Sequence, residues 1–125
     1  MGRPIHFELQ SKDVEKARKF YSELFGWKFQ SFGPEYWLAM TGEGPGIDGG
    51  IMPSKALQNW VCTMDVENLD VHMEKVSAAG GAIVVPKMPI PGVGWYATCA
   101  EPGGLRFGLI QGDPGAGQSG AIHDH

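Results

Sequence analysis

Residues 4–26, PIHFELQSKDVEKARKFYSELFG, contain a strand, a helix and both boundaries of that helix. From Pro4 to Gln10 the side chains alternate, so Ile5, Phe7 and Leu9 face one way while His6, Glu8 and Gln10 face the other. One side is apolar and packs. The other can line a polar cavity. Ser11 or Asp13 caps the helix that follows, Val14, Ala17, Phe20, Tyr21, Leu24 and Phe25 recur at helical spacing, and Gly26 is the stop. Phe7 and Leu9 are the natural floor for that helix.

Working outward, Asp13-Val14-Glu15 recurs as Asp65-Val66-Glu67, each time between an apolar strand-like run and an amphipathic helix-like run ending at glycine. The chain therefore reads as two copies of one β-α-β-β-β unit. In the first copy, Trp27 to Phe32 and Glu35 to Thr41 form a hairpin around Gly33-Pro34, Gly42 to Gly50 is a loop, and Gly50 to Met52 is a short last strand. Pro53 to Gln58 is the linker. In the second, Trp60 to Met64 is a strand, Asn68 caps a helix that ends at Gly80-Gly81, and Ala82 to Val85, Trp95 to Ala100 and Leu105 to Ile110 are strands. Pro86 to Gly94 reads as a loop that could act as a lid or rim. The expected organisation is one domain over 1–112, with module one at about 1–53 and module two at about 59–112, and a flexible tail over 113–125.

Composition excludes several classes. A formal charge of −4, with Lys and Arg scattered, argues against nucleic acid, which requires a basic face. No run approaches the roughly 20 apolar residues of a membrane span, and no leader precedes the first strand, so the cytoplasm is the expected compartment. Cys62 and Cys99 lie in apolar runs without a Cys-x-x-Cys pair and read as small core residues.

Two strings carry a resemblance: HFELQSKDVEKARKFYSELFGW at 6–27 and AAGGAIVVPKMPIPGVGWYATCAEPGGLRFGLIQ at 78–111. In the first, a strand bearing His leads to an Asp-started helix with Phe-Tyr and then Phe-Gly-Trp. In the second, Ala-Gly-Gly ends a helix and an acidic-Pro-x-Gly turn precedes the last strand. Together they resemble the vicinal oxygen chelate superfamily of glyoxalases, extradiol dioxygenases, fosfomycin-resistance enzymes and bleomycin-resistance proteins. The resemblance implies an α+β fold of paired βαβββ modules in a curved, cavity-enclosing mixed sheet. It also implies a homodimer with a small-molecule ligand.

Metal-dependent members of that superfamily hold a divalent ion with His, Glu or Gln from the first and last strands of the modules. His6 stands where the first ligand would be. A gapless alignment of the Asp-Val-Glu repeat places Asn59, with Gln58 beside it, at the corresponding strand start, and the last strand carries Gly108 where Glu is usual. Asp48 is a further candidate. The expectation is thus a small-molecule-binding, glyoxalase-related protein with no metal or other cofactor, and its enzymatic status stays open. The alternative is a metal-dependent lyase, isomerase or dioxygenase with His6 and Glu8 near the ion.

From the residues themselves, His6 and Glu8 share a strand face and are the candidate catalytic pair, the carboxylate orienting the imidazole. The bland reading gives Glu8 a hydrogen bond or ion pair and His6 no role. Gln10, Asn59, Trp95 and Arg106 are the candidate ligand-binding residues. Strand parity points Trp60 and Phe107 to the core and Arg106 to the cavity, where it could anchor a carboxylate or phosphate. Tyr36, Trp37 and Tyr96 could add flat walls. His72 reads as packing, and His123 and His125 fall in the tail.

Overall fold

Asp13 determines where the first helix starts. Its carboxylate accepts from the backbone N–H of Lys16 at 3.0 Å, and its carbonyl accepts from that of Ala17 at 3.0 Å. Helix α1 accordingly runs Val14–Phe25 and ends at Gly26, whose left-handed φ of 77° suits glycine and whose N–H bonds the Ser22 carbonyl. This is the span that the apolar spacing predicts. The computed structural model describes residues 2–56 and 58–117. They form two compact units, one within 4–62 and the other made of 2–3 together with 63–117.

The first unit holds β1 (Pro4–Ser11), α1, β2 (Lys28–Ser31), β3 (Trp37–Met40), β4 (Gly49–Pro53) and the opening of β5 (Asn59–Asp65). Strands β2 and β3 pair antiparallel, as do β3 and β4, while β4 lies parallel to β1 with Glu8 abreast of Gly50. Phe7, Leu9, Ala39 and Ile51 are buried beneath Val14, Ala17 and Tyr21 of α1. Fully burying such a side chain is worth about 1.5–3 kcal/mol. Because Phe7 and Leu9 point at the helix, alternation sends His6, Glu8 and Gln10 to the opposite face.

The second unit repeats the plan with the end of β5, α2 (Leu69–Ala78), β6 (Ala82–Ile90), β7 (Gly94–Ala100) and β8 (Arg106–Gly112). Asn68 caps α2 by accepting from Val71 N–H at 3.0 Å. Strand β8 lies parallel to β5, with Thr63 abreast of Gly108, and antiparallel to β7, which pairs antiparallel with β6. The core here is Val66, Leu69, Ala97, Cys99 and Leu109. The fold is α+β, with two βαβββ modules built on mixed parallel and antiparallel pairing. Among the described residues, no helix is long and apolar enough to cross a membrane.

Several details differ from the sequence reading. Strand β6 continues through Pro86–Ile90, so the expected lid loop shrinks to a turn at 91–93. Pro86 and Pro89 are tolerated because β6 pairs only with β7 in this unit and its register shifts twice. The helix caps, Asp13 and Asn68, lie 55 residues apart, whereas the Asp-Val-Glu strings lie 52 apart. The cap spacing sets Val61 and Thr63, not Gln58 and Trp60, as the counterparts of His6 and Glu8. Trp60 touches the rings of Phe7, Tyr21 and Trp27 on the helix side but is exposed rather than core. Cys99 is buried as expected, while Cys62 is exposed.

Asp113–Gly117, at the head of the expected tail, form a turn. Asp113 N–H bonds Val93 O at 2.9 Å, Gly92 N–H bonds Ala116 O at 3.1 Å, and Ala116 is buried. His123 and His125 lie outside the described residues.

Gly49 tests the β1–β4 contact. A Cβ there would stand 2.5 Å from the Phe7 carbonyl oxygen and 2.6 Å from its ring, whereas one on Gly112 meets nothing within 4 Å. Gly49→Ala is expected to cost roughly 1–3 kcal/mol of overpacking in urea unfolding, with Gly112→Ala near neutral. Equal effects of the two would contradict the packing.

Candidate functional site

The polar face of β1 is organised by a residue from another strand. Tyr36 lies just before β3, at the end of a tight turn in which Phe32 N–H bonds the Tyr36 carbonyl at 2.9 Å and Glu35 takes a φ of 141°. That φ is uncommon for a residue with a side chain, and such outliers concentrate at functional positions. The turn carries the Tyr36 hydroxyl over Gly50, so a Cβ on Gly50 would overlap it. There the hydroxyl lies 2.9 Å from His6 Nε2 and hydrogen-bonds the Glu8 side chain. Gln10 holds Glu8 from the other side.

The arrangement has one consistent set of protons when Glu8 is ionised. A carboxylate only accepts, so Tyr36 donates to Glu8, and the tyrosine oxygen then accepts from His6 Nε2–H. Burial moves both ionisable groups toward neutrality. The His6 imidazole lies below its usual pKa, chiefly because it is desolvated, with the Asp48 charge pulling the other way. Glu8 lies above the usual carboxylate value for the same leading reason, partly offset by its bonds to Tyr36 and Gln10. Chemically, this is a carboxylate of raised basicity linked through a phenol to a neutral imidazole, a pattern suited to accepting or exchanging a proton with a bound molecule.

The second module repeats the geometry without the charges. The Tyr96 hydroxyl lies 3.3 Å from Thr63 Oγ1, and a Cβ on Gly108 would meet both. Thr63 is buried. A tyrosine hydroxyl therefore stands over a last-strand glycine in each module, bonded to the first strand of that module.

Of the residues singled out from sequence, His6, Glu8 and Gln10 come together. Gln10 and Asn59 also border a groove of about 620 Å³ beside α1, with Asn59 exposed. Trp95, expected on the cavity side, instead packs against the second module's core; its Nε1 donates to Asp113 at 3.0 Å and the Lys87 ammonium stands over its ring. Arg106 is exposed at the start of β8, and Phe107 packs on the core as parity predicts. Asp48 braces the 42–48 loop by accepting from Thr41 N–H and Thr41 Oγ1. His72 Nδ1 contacts the Asn68 carbonyl of its own helix at 3.2 Å. The sequence marked Tyr36 and Tyr96 only as flat walls. The available signal was glycine within a strand, which marks close approach by another group.

The donors do not fit a catalytic ion. Such a site needs about three convergent protein ligands and an open position, and among the described residues no three His, Cys, Asp or Glu side chains converge. His6 and Glu8 share the Tyr36 hydroxyl, and Gly50 and Gly108 offer no side-chain donor.

Known proteins share this plan. The family profile described as Bleomycin resistance protein-like N-terminal matches residues 3–41. "Putative glyoxylase CFP32" of Mycobacterium bovis is 30% identical over 124 residues, covering 88% of this chain and 46% of that protein. "Anthracycline biosynthesis protein DnrV" of Streptomyces peucetius is 26% identical over 149 residues, covering 97% and 53%. The chain spans about half the length of these two relatives. The crystal structure of methylmalonyl-CoA epimerase from Mycobacterium tuberculosis superimposes with a TM-score of 0.70 at 14% identity, covering 90% of this chain and 89% of that one. With its paired βαβββ modules, the chain has the glyoxalase/bleomycin resistance-like fold found in the vicinal oxygen chelate superfamily, and its sequence is similar to these relatives.

Proposed function

We propose that the chain binds a small organic molecule on the β1 face carrying His6, Glu8, Gln10 and Tyr36, and engages it by hydrogen bonding and proton exchange without an ion. The single observation behind this reading is the Tyr36 hydroxyl shared by His6 and Glu8. Polar groups that satisfy one another through a phenol are ready to exchange one hydrogen bond for a ligand's, whereas an ion needs donors held apart around an open position. The relatives named for glyoxylase activity and anthracycline biosynthesis both concern small organic molecules. The working unit in this reading is a homodimer in the cytoplasm. A metal-dependent lyase, isomerase or dioxygenase is the second reading, favoured by the imidazole and carboxylate of His6 and Glu8 on one strand face.

The test pairs metal content with ligand binding. The chain truncated after Gly117, which removes His123 and His125, is expected to hold well under one nickel, zinc, iron or manganese ion per chain after mild chelation. Small carbonyl and carboxylate compounds that bind by ligand-observed NMR are expected to lose roughly fivefold to tenfold in affinity on Tyr36→Phe, the scale of one hydrogen bond. Stoichiometric metal that disappears in His6→Ala together with turnover would replace this reading with the second.

Stability against pH tests the burial of Glu8. Its folded-state pKa is raised, so the native protein holds that proton more firmly than the unfolded chain. The resulting stability is present below the ordinary carboxylate value and is lost as pH rises through the folded-state value. At neutral pH the ionised group is therefore a cost. Glu8→Gln keeps the size and a hydrogen-bonding side chain, so it is expected to melt higher than the parent near pH 7 to 8, with the gain shrinking as the medium is acidified. A variant less stable than the parent at neutral pH, or a pH-independent difference, would show that desolvation does not govern this carboxyl.

A further inference from the structure

The groove beside α1 belongs wholly to the first unit and opens on the helix side of β1, away from His6 and Glu8. Its volume, about 620 Å³, suits a small organic molecule. Leu9 and Ile51, both buried, form the floor. Phe20 and Trp60 form walls that stay 57% and 58% exposed, and Tyr21 meets both edge-on, at 5.2 and 5.9 Å between ring centroids. Contiguous exposed apolar surface with a polar rim marks an interaction or ligand-binding site. The polar end lies where β1 runs into α1. Lys12 and Lys16 border the groove there, with Lys16 one helical turn before Phe20. Among the described residues neither ammonium forms an ion pair. Asp13 is the single carboxylate of the lining, and it already accepts from Lys16 N–H as the cap of α1. The lining is therefore net cationic in a chain whose formal charge is −4. Gln58, whose Oε1 accepts from Lys12 N–H at 3.0 Å, keeps its NH2 group as a neutral donor at the same end.

We propose that this groove is a second binding site, for an aromatic anion whose ring lies against Phe20, Tyr21 and Trp60 and whose carboxylate, sulfonate or phosphate oxygens lie beside Lys12 and Lys16. The order of features along α1 selects that chemistry. One turn of helix, about 5.4 Å of rise, separates the cationic end from the first aromatic wall, which is the scale of the distance from a ring to its anionic substituent. An aliphatic acid forgoes ring packing against flat walls. A neutral arene leaves both ammonium groups unused, and a metal cation is repelled by them. The positive end of the α1 dipole favours the same sign of ligand as the lysines do. The site goes beyond the β1-face reading and does not depend on it: of the groove's lining, only Gln10 also belongs to that face.

Titration of the isotope-labelled full chain with naphthalenesulfonate, followed by protein NMR, tests the assignment. The expected result is a saturable shift of the Trp60 indole N–H and of the Lys12 and Lys16 amides. Affinity is expected to fall roughly fivefold to tenfold in the double variant Lys12→Gln with Lys16→Gln, and by a similar factor on Phe20→Ala. These three side chains are exposed, and a dispersed amide spectrum shows that the variants remain folded. Naphthalenesulfonamide, with the same ring and no charge, is expected to bind more weakly, and added salt to weaken only the sulfonate. Tyr36→Phe, which tests the β1 face, is expected to leave these shifts unchanged, so the two sites can fail separately. Absence of a saturable shift at Trp60 overturns the proposal, whether the groove stays open or a second copy of the chain covers it. Equal binding of sulfonate and sulfonamide, or binding indifferent to both the lysine and the Phe20 variants, overturns it as well.

Discussion

A tyrosine hydroxyl resting on a glycine organises the polar face of the first module. The β1–β4 pairing brings Glu8 abreast of Gly50, and the missing side chain leaves a space that the Tyr36 hydroxyl fills. From there it reaches both His6 and Glu8, so one oxygen sets the orientation of two ionisable groups that the backbone alone would leave free to rotate. Each part requires the others. A side chain at residue 50 would expel the hydroxyl, and loss of the hydroxyl would take one of its hydrogen bonds from a largely buried carboxyl that Gln10 also holds.

The second module keeps the device and changes its chemistry. Gly108, Tyr96 and Thr63 reproduce the positions of Gly50, Tyr36 and Glu8, with a neutral hydroxyl in place of the carboxyl. Repetition of the backbone solution with divergence of the side chains assigns different duties to the two halves. The first presents an imidazole and a carboxyl, both pushed toward their neutral forms by burial. The second offers only hydroxyl hydrogen bonds. A close approach of this kind constrains the glycine more tightly than the polar residue opposite it, because the glycine must remain small while its neighbour need only remain polar.

Local chemistry was legible in the sequence, and pairing between distant strands was not. Asp13, the apolar stripe and Gly26 delimit α1 because caps and periodicity act within a few residues. Alternation along β1 correctly separated Phe7 and Leu9 from His6, Glu8 and Gln10 for the same reason. The repeated Asp-Val-Glu string misled because Asp13 is a cap whereas Asp65 ends a strand; the physical counterpart of Asp13 is Asn68. Pro86 and Pro89 suggested a loop because their lack of N–H groups matters only where a neighbouring strand needs them. Tyr36 meets residues 6 and 8 only after the β3–β4–β1 order is set, so no local pattern could reveal its role. Trp95 was misplaced by inferring side from chemical suitability, although Trp95, Ala97 and Cys99 alternate together into the core.

The electrostatics of the first module favour a neutral partner. Desolvation moves His6 and Glu8 in opposite pKa directions, and both shifts disfavour charge: the imidazole is held neutral and the carboxylate becomes more basic. A divalent ion beside them would do the reverse to Glu8, stabilising its ionised form, and would require the Tyr36 bonds to be broken first. An anionic ligand group placed next to Glu8 would raise the carboxyl further and favour uptake of a proton. A ligand that presents an O–H or activated C–H to Glu8 requires no new charge, because the carboxylate can accept the hydrogen while Tyr36 and Gln10 remain bonded to it. In the proposed reading, proton exchange with such a ligand would draw on the same burial that makes Glu8 costly to keep ionised, so the stability cost of that carboxylate and the proposed reactivity have one physical origin.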